Sequence, residues 1–332
     1  MRSRQTIAAA FCCSIFLVLA LVTSYAQTSV QSSNKLQAGP EGLNIAPSAA
    51  ATTDMAEAAT NTFSSRVREV SVLFSASDWR GHFVSNLTEK DVRVSDNGLH
   101  PGSLTYFLRE EDLALRVAVL IDVSGSVSSS LKAEQRAAAT FLRETLRPSD
   151  SAALMVFGDK LHMIQDFTTN LTLLEKDVHH LAASQTSTAI YDALTNSCKQ
   201  MAFANETGPT RHALILITDG EDNASHATIT DAINAALNAE VVIFALNIFP
   251  YTATDAPLAK LAESTGGSLL HASGASGLKA AFRKINSQLR NQYLLGYKPP
   301  VWQADGSFHR IRVSTDRFGL HIHCRKGYYA AQ

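Results

Sequence analysis

Two apolar runs in this chain each stop at an aspartate, and that repeated design limits what it can fold into. Val117-Ala118-Val119-Leu120-Ile121 ends at Asp122, and Ala213-Leu214-Ile215-Leu216-Ile217 ends two residues before Asp219, with Thr218 between. A strand covered by helices on both faces is apolar without alternation, so both runs read as central strands of a mainly parallel sheet. Strands are expected near 115–121, 152–157, 161–167, 212–218, 241–247 and 267–271. Helices are expected near 129–146, 171–182, 188–203, 228–239, 255–265 and 276–290. Strand and helix in turn imply right-handed crossovers and a parallel sheet. The pair 152–157 and 161–167 departs from this, because Gly158-Asp159-Lys160 joins it as a hairpin. The expected fold class is α/β: a doubly wound, mostly parallel six-stranded sheet with one antiparallel edge strand.

Open α/β sheets bind ligands at the carboxyl ends of their strands. There the first run continues as Asp122-Val123-Ser124-Gly125-Ser126, one carboxylate and two hydroxyls. Taken alone, this is also an ordinary turn, since Asp and Ser are common turn and cap residues. Two further oxygen-rich loops accompany it: Thr186-Ser187-Thr188 ahead of a helical pattern, and Thr218-Asp219-Gly220 after the second run. Such hard oxygen donors suit a small hard cation such as Mg²⁺.

Together these residues resemble the metal-ion-dependent adhesion site of the von Willebrand factor A domain family. Asp122, Ser124 and Ser126 fit its D-x-S-x-S, Thr188 its lone threonine and Asp219 its second aspartate, within a domain spanning roughly 113–290. The flanks carry Asn86-Leu87-Thr88-Glu89-Lys90-Asp91-Val92-Arg93-Val94, Gln292-Tyr293-Leu294-Leu295-Gly296-Tyr297 and Arg325-Lys326-Gly327-Tyr328-Tyr329. These look like the secreted VWFA-related proteins abundant in Acidobacteria. The resemblance implies a bound Mg²⁺, with Mn²⁺ as a substitute. Ser124 and Ser126 would bind it directly, Thr188 directly or through water, and Asp122 and Asp219 largely through water. It also implies a partner protein whose Asp or Glu carboxylate completes the ion's shell. The expected function is therefore a secreted adhesion or protein-interaction module, not an enzyme.

A secreted metal-assisted hydrolase is the competing class. It would need a general base, or a nucleophile served by one. The sequence has no G-x-S-x-G, H-E-x-x-H or Walker motif, and no histidine in the three loops. Its net charge of −1 also argues against a general nucleic-acid or anionic-membrane binder. Glu221 and Asp222 read as a solvated acidic loop, and Asp192 as a structural residue near a helix start, where the dipole favours negative charge. His321, His323 and Cys324 crowd one strand, but zinc would need at least one more ligand. An exposed polar face is the simpler reading. Asn86, Asn170, Asn205 and Asn223 begin N-x-[ST] sequons.

The amino-terminal segment 1–26 reads as a secretory signal. Arg2 and Arg4 precede an apolar stretch from Ile7 to Val22, and Ser24-Tyr25-Ala26 places small residues for cleavage after Ala26. The alternative, an uncleaved anchor, is disfavoured by an apolar run short for a bilayer. No stable membrane span is expected in the mature chain. Cys12 and Cys13 leave with the signal, so Cys198 and Cys324 remain, expected as free, buried thiols. Residues 27–62 are rich in Ala, Ser, Thr, Gln and Asn and read as a disordered tether. Residues 66–108 carry alternating strand patterns, with Asp96-Asn97-Gly98 as a hairpin signal. Residues 291–330 return to strands at 293–298, 308–314 and 320–325. Three strands alone are marginal. The two flanks are therefore expected to form one small all-β sandwich that receives the domain at 113–290 as an insertion.

Overall fold

Period-two apolar patterns at both ends of the chain and continuous apolar runs in its middle separate into two kinds of sheet. The computed structural model describes residues 69–109, 111, 113–202, 210–249 and 255–330. The signal segment 1–26 with its cleavage after Ala26, the tether 27–62 and Asn205 lie outside them. Among the described residues no helix is long and apolar enough to cross a membrane.

Among the described residues the first strands are β1 (Val70–Ser77), β2 (Val92–Asp96) and β3 (Leu104–Arg109). The α/β region follows as β4 (Ala114–Asp122), α1 (Leu131–Thr145), β5 (Ser151–Phe157), β6 (Leu161–Thr168), α2 (Leu171–His179), α3 (Ile190–Ala202) and β7 (Thr210–Thr218). It continues with α4 (Ile229–Asn238), β8 (Val241–Asn247), α5 (Asp255–Thr265), β9 (Leu269–His271) and α6 (Gly274–Leu289). The chain ends in β10 (Gln292–Tyr297), β11 (Phe308–Thr315), β12 (His321–Cys324) and β13 (Gly327–Tyr329).

The central sheet runs β6-β5-β4-β7-β8-β9, parallel throughout except for the antiparallel β5–β6 hairpin at its edge. Successive residues of each inner strand face opposite cores. Val117, Val119 and Ile121 of β4, with Ala213, Ile215 and Ile217 of β7, join the core under α1, α2 and α6. Ala118 and Leu120, with Leu214 and Leu216, join the core under α3, α4 and α5. Burial on both faces is why these runs show no polar alternation.

The flanking strands interleave. β1, β3, β10 and β12 form a sheet ordered β12-β1-β10-β3, and β13-β11-β2 form a second. Both contribute to one core of Val72, Phe74, Val92, Val94, Tyr293, Leu295, Ile311 and Val313. The Asp96-Asn97-Gly98 turn forms, with φ of 48° at Asn97 and 84° at Gly98 and a bridge from Asp96 to Leu99. It does not make β2 and β3 a hairpin, which corrects the sequence expectation. Among the described residues β2 pairs only β11 and β3 only β10. Pro101, which lacks an N–H, and Gly102 interrupt the ladder and carry the chain from one sheet to the other. The three-residue β13 was also not expected from the sequence.

Asp96 ties four of these strands together. Its Oδ2 accepts hydrogen bonds from the hydroxyls of Tyr297 and Tyr328, both at 2.9 Å, and its Oδ1 lies 3.1 Å from His309 Nδ1. All four residues are buried, and burial beside this carboxylate pushes both phenols well above their usual range. Removing one partner of such a network strands the rest. Asp96→Ala is expected to cost about 3 kcal/mol. Urea denaturation checks this, and a cost under about 1 kcal/mol would contradict the role assigned to Asp96.

The β unit is bonded directly to the α/β region. The Lys326 N–H donates to the Ser264 carbonyl at 3.0 Å, Gln288 Nε2 to Ser75 Oγ at 3.2 Å, and the Tyr329 hydroxyl to Asn234 Oδ1 at 2.8 Å. Gly266 meets this junction with φ of 92°, and a Cβ there would lie 2.9 Å from the Arg325 nitrogen, so only glycine fits without displacement. Cys198 and Cys324 are both free; Cys198 is buried as expected, but Cys324 is only partly so. His323 is half-buried, with Nε2 2.9 Å from Ser77 Oγ, so that strand face is not simply exposed.

Candidate functional site

β4 and β7 are adjacent, in register from Ala114↔Thr210 to Ile121↔Ile217, and their crossovers leave in opposite directions, toward β5 and toward β8. That divergence opens a crevice at the carboxyl ends of these two strands, where doubly wound sheets place their ligands. Asp122 ends β4, and Thr218-Asp219 ends β7. Thr188 lies just ahead of α3. All five residues named from the sequence therefore sit in the three loops around the crevice.

Hydrogen bonds knit these loops together. Asp122 Oδ1 accepts from the Ser124 N–H at 2.9 Å, and Oδ2 from the Thr218 hydroxyl at 2.8 Å. Thr218 Oγ1 in turn accepts from the Gly220 N–H at 3.0 Å, in a turn that Gly220 makes with φ of 87°. Ser124 Oγ and Ser126 Oγ lie 3.3 Å apart. The Ser184 N–H reaches the Val123 carbonyl at 2.6 Å, which holds the stretch leading to Thr188 against the first loop.

The Thr188 loop is fixed through its backbone. The Thr188 N–H donates to Asn223 Oδ1 at 2.9 Å, and the Thr188 carbonyl accepts from the Asn223 and Ala224 N–H groups at 3.0 and 3.1 Å. Asp222, read from the sequence as a solvated acid, is a tether instead. It accepts from the Ile190 N–H at 2.8 Å and the Ser225 hydroxyl at 2.6 Å. Asp192 has a structural role, as expected, and accepts from the His226 and Ala227 N–H groups.

The donor set is all hard oxygen: two carboxylates and three hydroxyls. Asp122, Ser124, Thr188 and Asp219 are buried, and Ser126 alone of the five is exposed. The exposed rim beside it is polar, with Gln185, Thr186, Ser187 and Glu221. Burial raises the Asp122 carboxyl pKa, its hydrogen bonds to Ser124 and Thr218 oppose the rise, and the like charge of Asp219 adds to it. Two buried carboxylates that repel one another suit a small divalent cation, which relieves that repulsion and takes oxygen ligands. The residues present fit such an ion.

Two residues here have roles that escaped the sequence reading. Asn223 is expected from the sequence as a sequon lying close to the metal, but not as the residue that positions Thr188 from 35 residues away. Glu134, on the first turn of α1, is fully buried, and neither carboxylate oxygen has a hydrogen-bond partner among the described residues. Burial pushes its pKa up to about 7, and the negative charges of Asp122 and Asp219 add to the rise. Nothing in the local sequence marks that glutamate as buried.

The chain is similar, at low identity, to several solved structures. A von Willebrand factor type A protein from Catenulispora acidiphila is 14% identical, with a TM-score of 0.47 and coverage of 75% of each chain. An aerotolerance-related membrane protein from Bacteroides fragilis is 15% identical, with a TM-score of 0.45, over 53% of this chain and 98% of that one. Proximal thread matrix protein 1 from the mussel byssus, with a zinc-occupied MIDAS motif, is 18% identical, with a TM-score of 0.47, over 56% of this chain and 47% of that one. No curated protein matches the chain. Residues 117–221, the span that holds all five of these side chains, match the family model of the von Willebrand factor type A domain.

Proposed function

We propose that the protein is a secreted, metal-ion-dependent protein-interaction module whose centre is Asp122, Ser124, Ser126, Thr188 and Asp219. The observation that carries this reading is the crevice at the ends of β4 and β7, where five hard oxygen groups with only two formal charges open outward through Ser126. A bound Mg²⁺, or Mn²⁺ in its place, supplies an electrophilic point that takes up a carboxylate oxygen. Ser124, Ser126 and Thr188 offer it neutral hydroxyls, so the ion keeps most of its charge for an Asp or Glu of a partner protein. Asp122 orders the site: each of its oxygens accepts one hydrogen bond, from the Ser124 N–H and the Thr218 hydroxyl, and keeps a lone pair toward the ion or its water. Secretion rests on the segment 1–26, and the flanking motifs are read as those of the secreted VWFA-related subfamily.

Secreted proteins passed over the immobilised protein test this. Partners are expected to be retained with Mg²⁺ and released by EDTA. Thr188→Ala is expected to lose them while keeping its fold, because the bonds that fix this loop run through the Thr188 backbone. Retention undiminished in EDTA would place recognition on another surface.

A further inference from the structure

We infer that Glu134 is an outer carboxylate of the same cation site, raising its affinity for cations from behind the coordination shell; the inference rests on the cation-binding role proposed for those loops. The glutamate has no counter-charge of its own. It is fully buried, and both its oxygens lack a hydrogen-bond partner among the described residues. Proteins rarely bury a carboxylate without pairing it. The charged groups acting on it are Asp122 and Asp219, both negative. The Ser130 hydroxyl one turn earlier gives its proton to the Val127 carbonyl at 2.9 Å. A cation in the crevice balances all three carboxylates at once.

The backbone holds Glu134 at this site. The Ser130 N–H bonds the Val127 carbonyl and the Glu134 N–H bonds the Ser130 carbonyl, so the Asp122–Ser126 loop runs straight into the turn that carries Glu134. Its neighbour Gln135 donates from Nε2 to the Leu181 carbonyl at 2.8 Å, bracing that turn against the stretch that leads to Thr188. Among the described residues no three His, Cys, Asp or Glu side chains converge closely enough to hold one ion. Glu134 therefore acts at longer range, as a positioning residue working through its charge and through water, and is not a direct ligand.

The test titrates Mn²⁺ alone, and separately Tb³⁺ alone, into the protein, Glu134→Gln and Glu134→Asp at pH 8, with far-UV circular dichroism as the check on folding. Glu134→Gln is expected to weaken Mn²⁺ binding about 10- to 100-fold, as loss of an outer-shell partner does. Because a charge–charge energy scales with the ion's charge, the logarithm of the loss should be about one and a half times larger for Tb³⁺. Glu134→Asp, which keeps the charge on a shorter arm, should fall between parent and Glu134→Gln. Equal Mn²⁺ affinity of parent and Glu134→Gln would overturn the inference and leave the cation site standing. Equal losses for the two ions would do the same, because they point to a displaced loop and not a lost charge. If the parent takes up neither ion, the cation site itself fails and this inference with it.

Discussion

Glu134→Gln is expected to gain about 3 kcal/mol on the parent between pH 4.5 and pH 8 when both proteins are metal-free. The sign follows from the direction of the shift. Burial raises the folded-state pKa from the ordinary 4.5 to about 7, so the folded protein binds this proton more tightly than the unfolded chain. The stability that comes with it is complete below pH 4.5 and is lost as pH rises through about 7. The amide cannot ionise and escapes that loss. Asp122, also raised by burial, gives a further decline of the same sign in both proteins. Urea denaturation in EDTA at the two pH values measures it. A difference that stays constant across the range would mean that Glu134 reaches water or a partner in solution.

Deletion of residues 291–330 is expected to abolish folding of the amino-terminal strands, with an effect larger than any point substitution. Among the described residues β1 pairs only β10 and β12, β2 only β11, and β3 only β10. The deletion thus leaves every one of the first three strands without a neighbour and strips the cover from Val72, Phe74, Val92 and Val94. The loss exceeds the roughly 5–15 kcal/mol that stabilises a whole domain. Residues 1–290 should be insoluble or bind hydrophobic dyes, whereas residues 113–290, with both flanks removed, should be recovered more readily. A 1–290 protein that melts as the full chain does would show that the two flanks do not depend on each other.

How far the sequence could be read depended on whether the deciding force is local. β4 and β7 were legible because burial on both faces leaves an unbroken apolar run, and the aspartates at their ends mark where the sheet stops. The β5–β6 hairpin was legible from Gly158-Asp159-Lys160. The Asp96-Asn97-Gly98 turn was legible as a turn, but not the change of sheet after it, because that depends on β11 and β10 about 200 residues away. β13 was hidden because three residues, Gly327-Tyr328-Tyr329, carry too little pattern to show a strand held by β11. In the site, the oxygen donors were legible through the family resemblance, because Asp122, Ser124, Ser126, Thr188 and Asp219 each match a position of its motif. The groups that orient them were not: Asn223 and Asp222 act across loops, and the burial of Glu134 is a property of how α1 packs over the crevice.

The central claim is that the five oxygen groups hold one divalent cation. Titration calorimetry of Mn²⁺ into the parent, Asp122→Ala and Thr188→Ala proteins tests it most directly. One ion per chain in the parent, with heat and stoichiometry lost in both variants while their folds persist, is the predicted result. Equal Mn²⁺ binding by all three, or none by the parent, would contradict it.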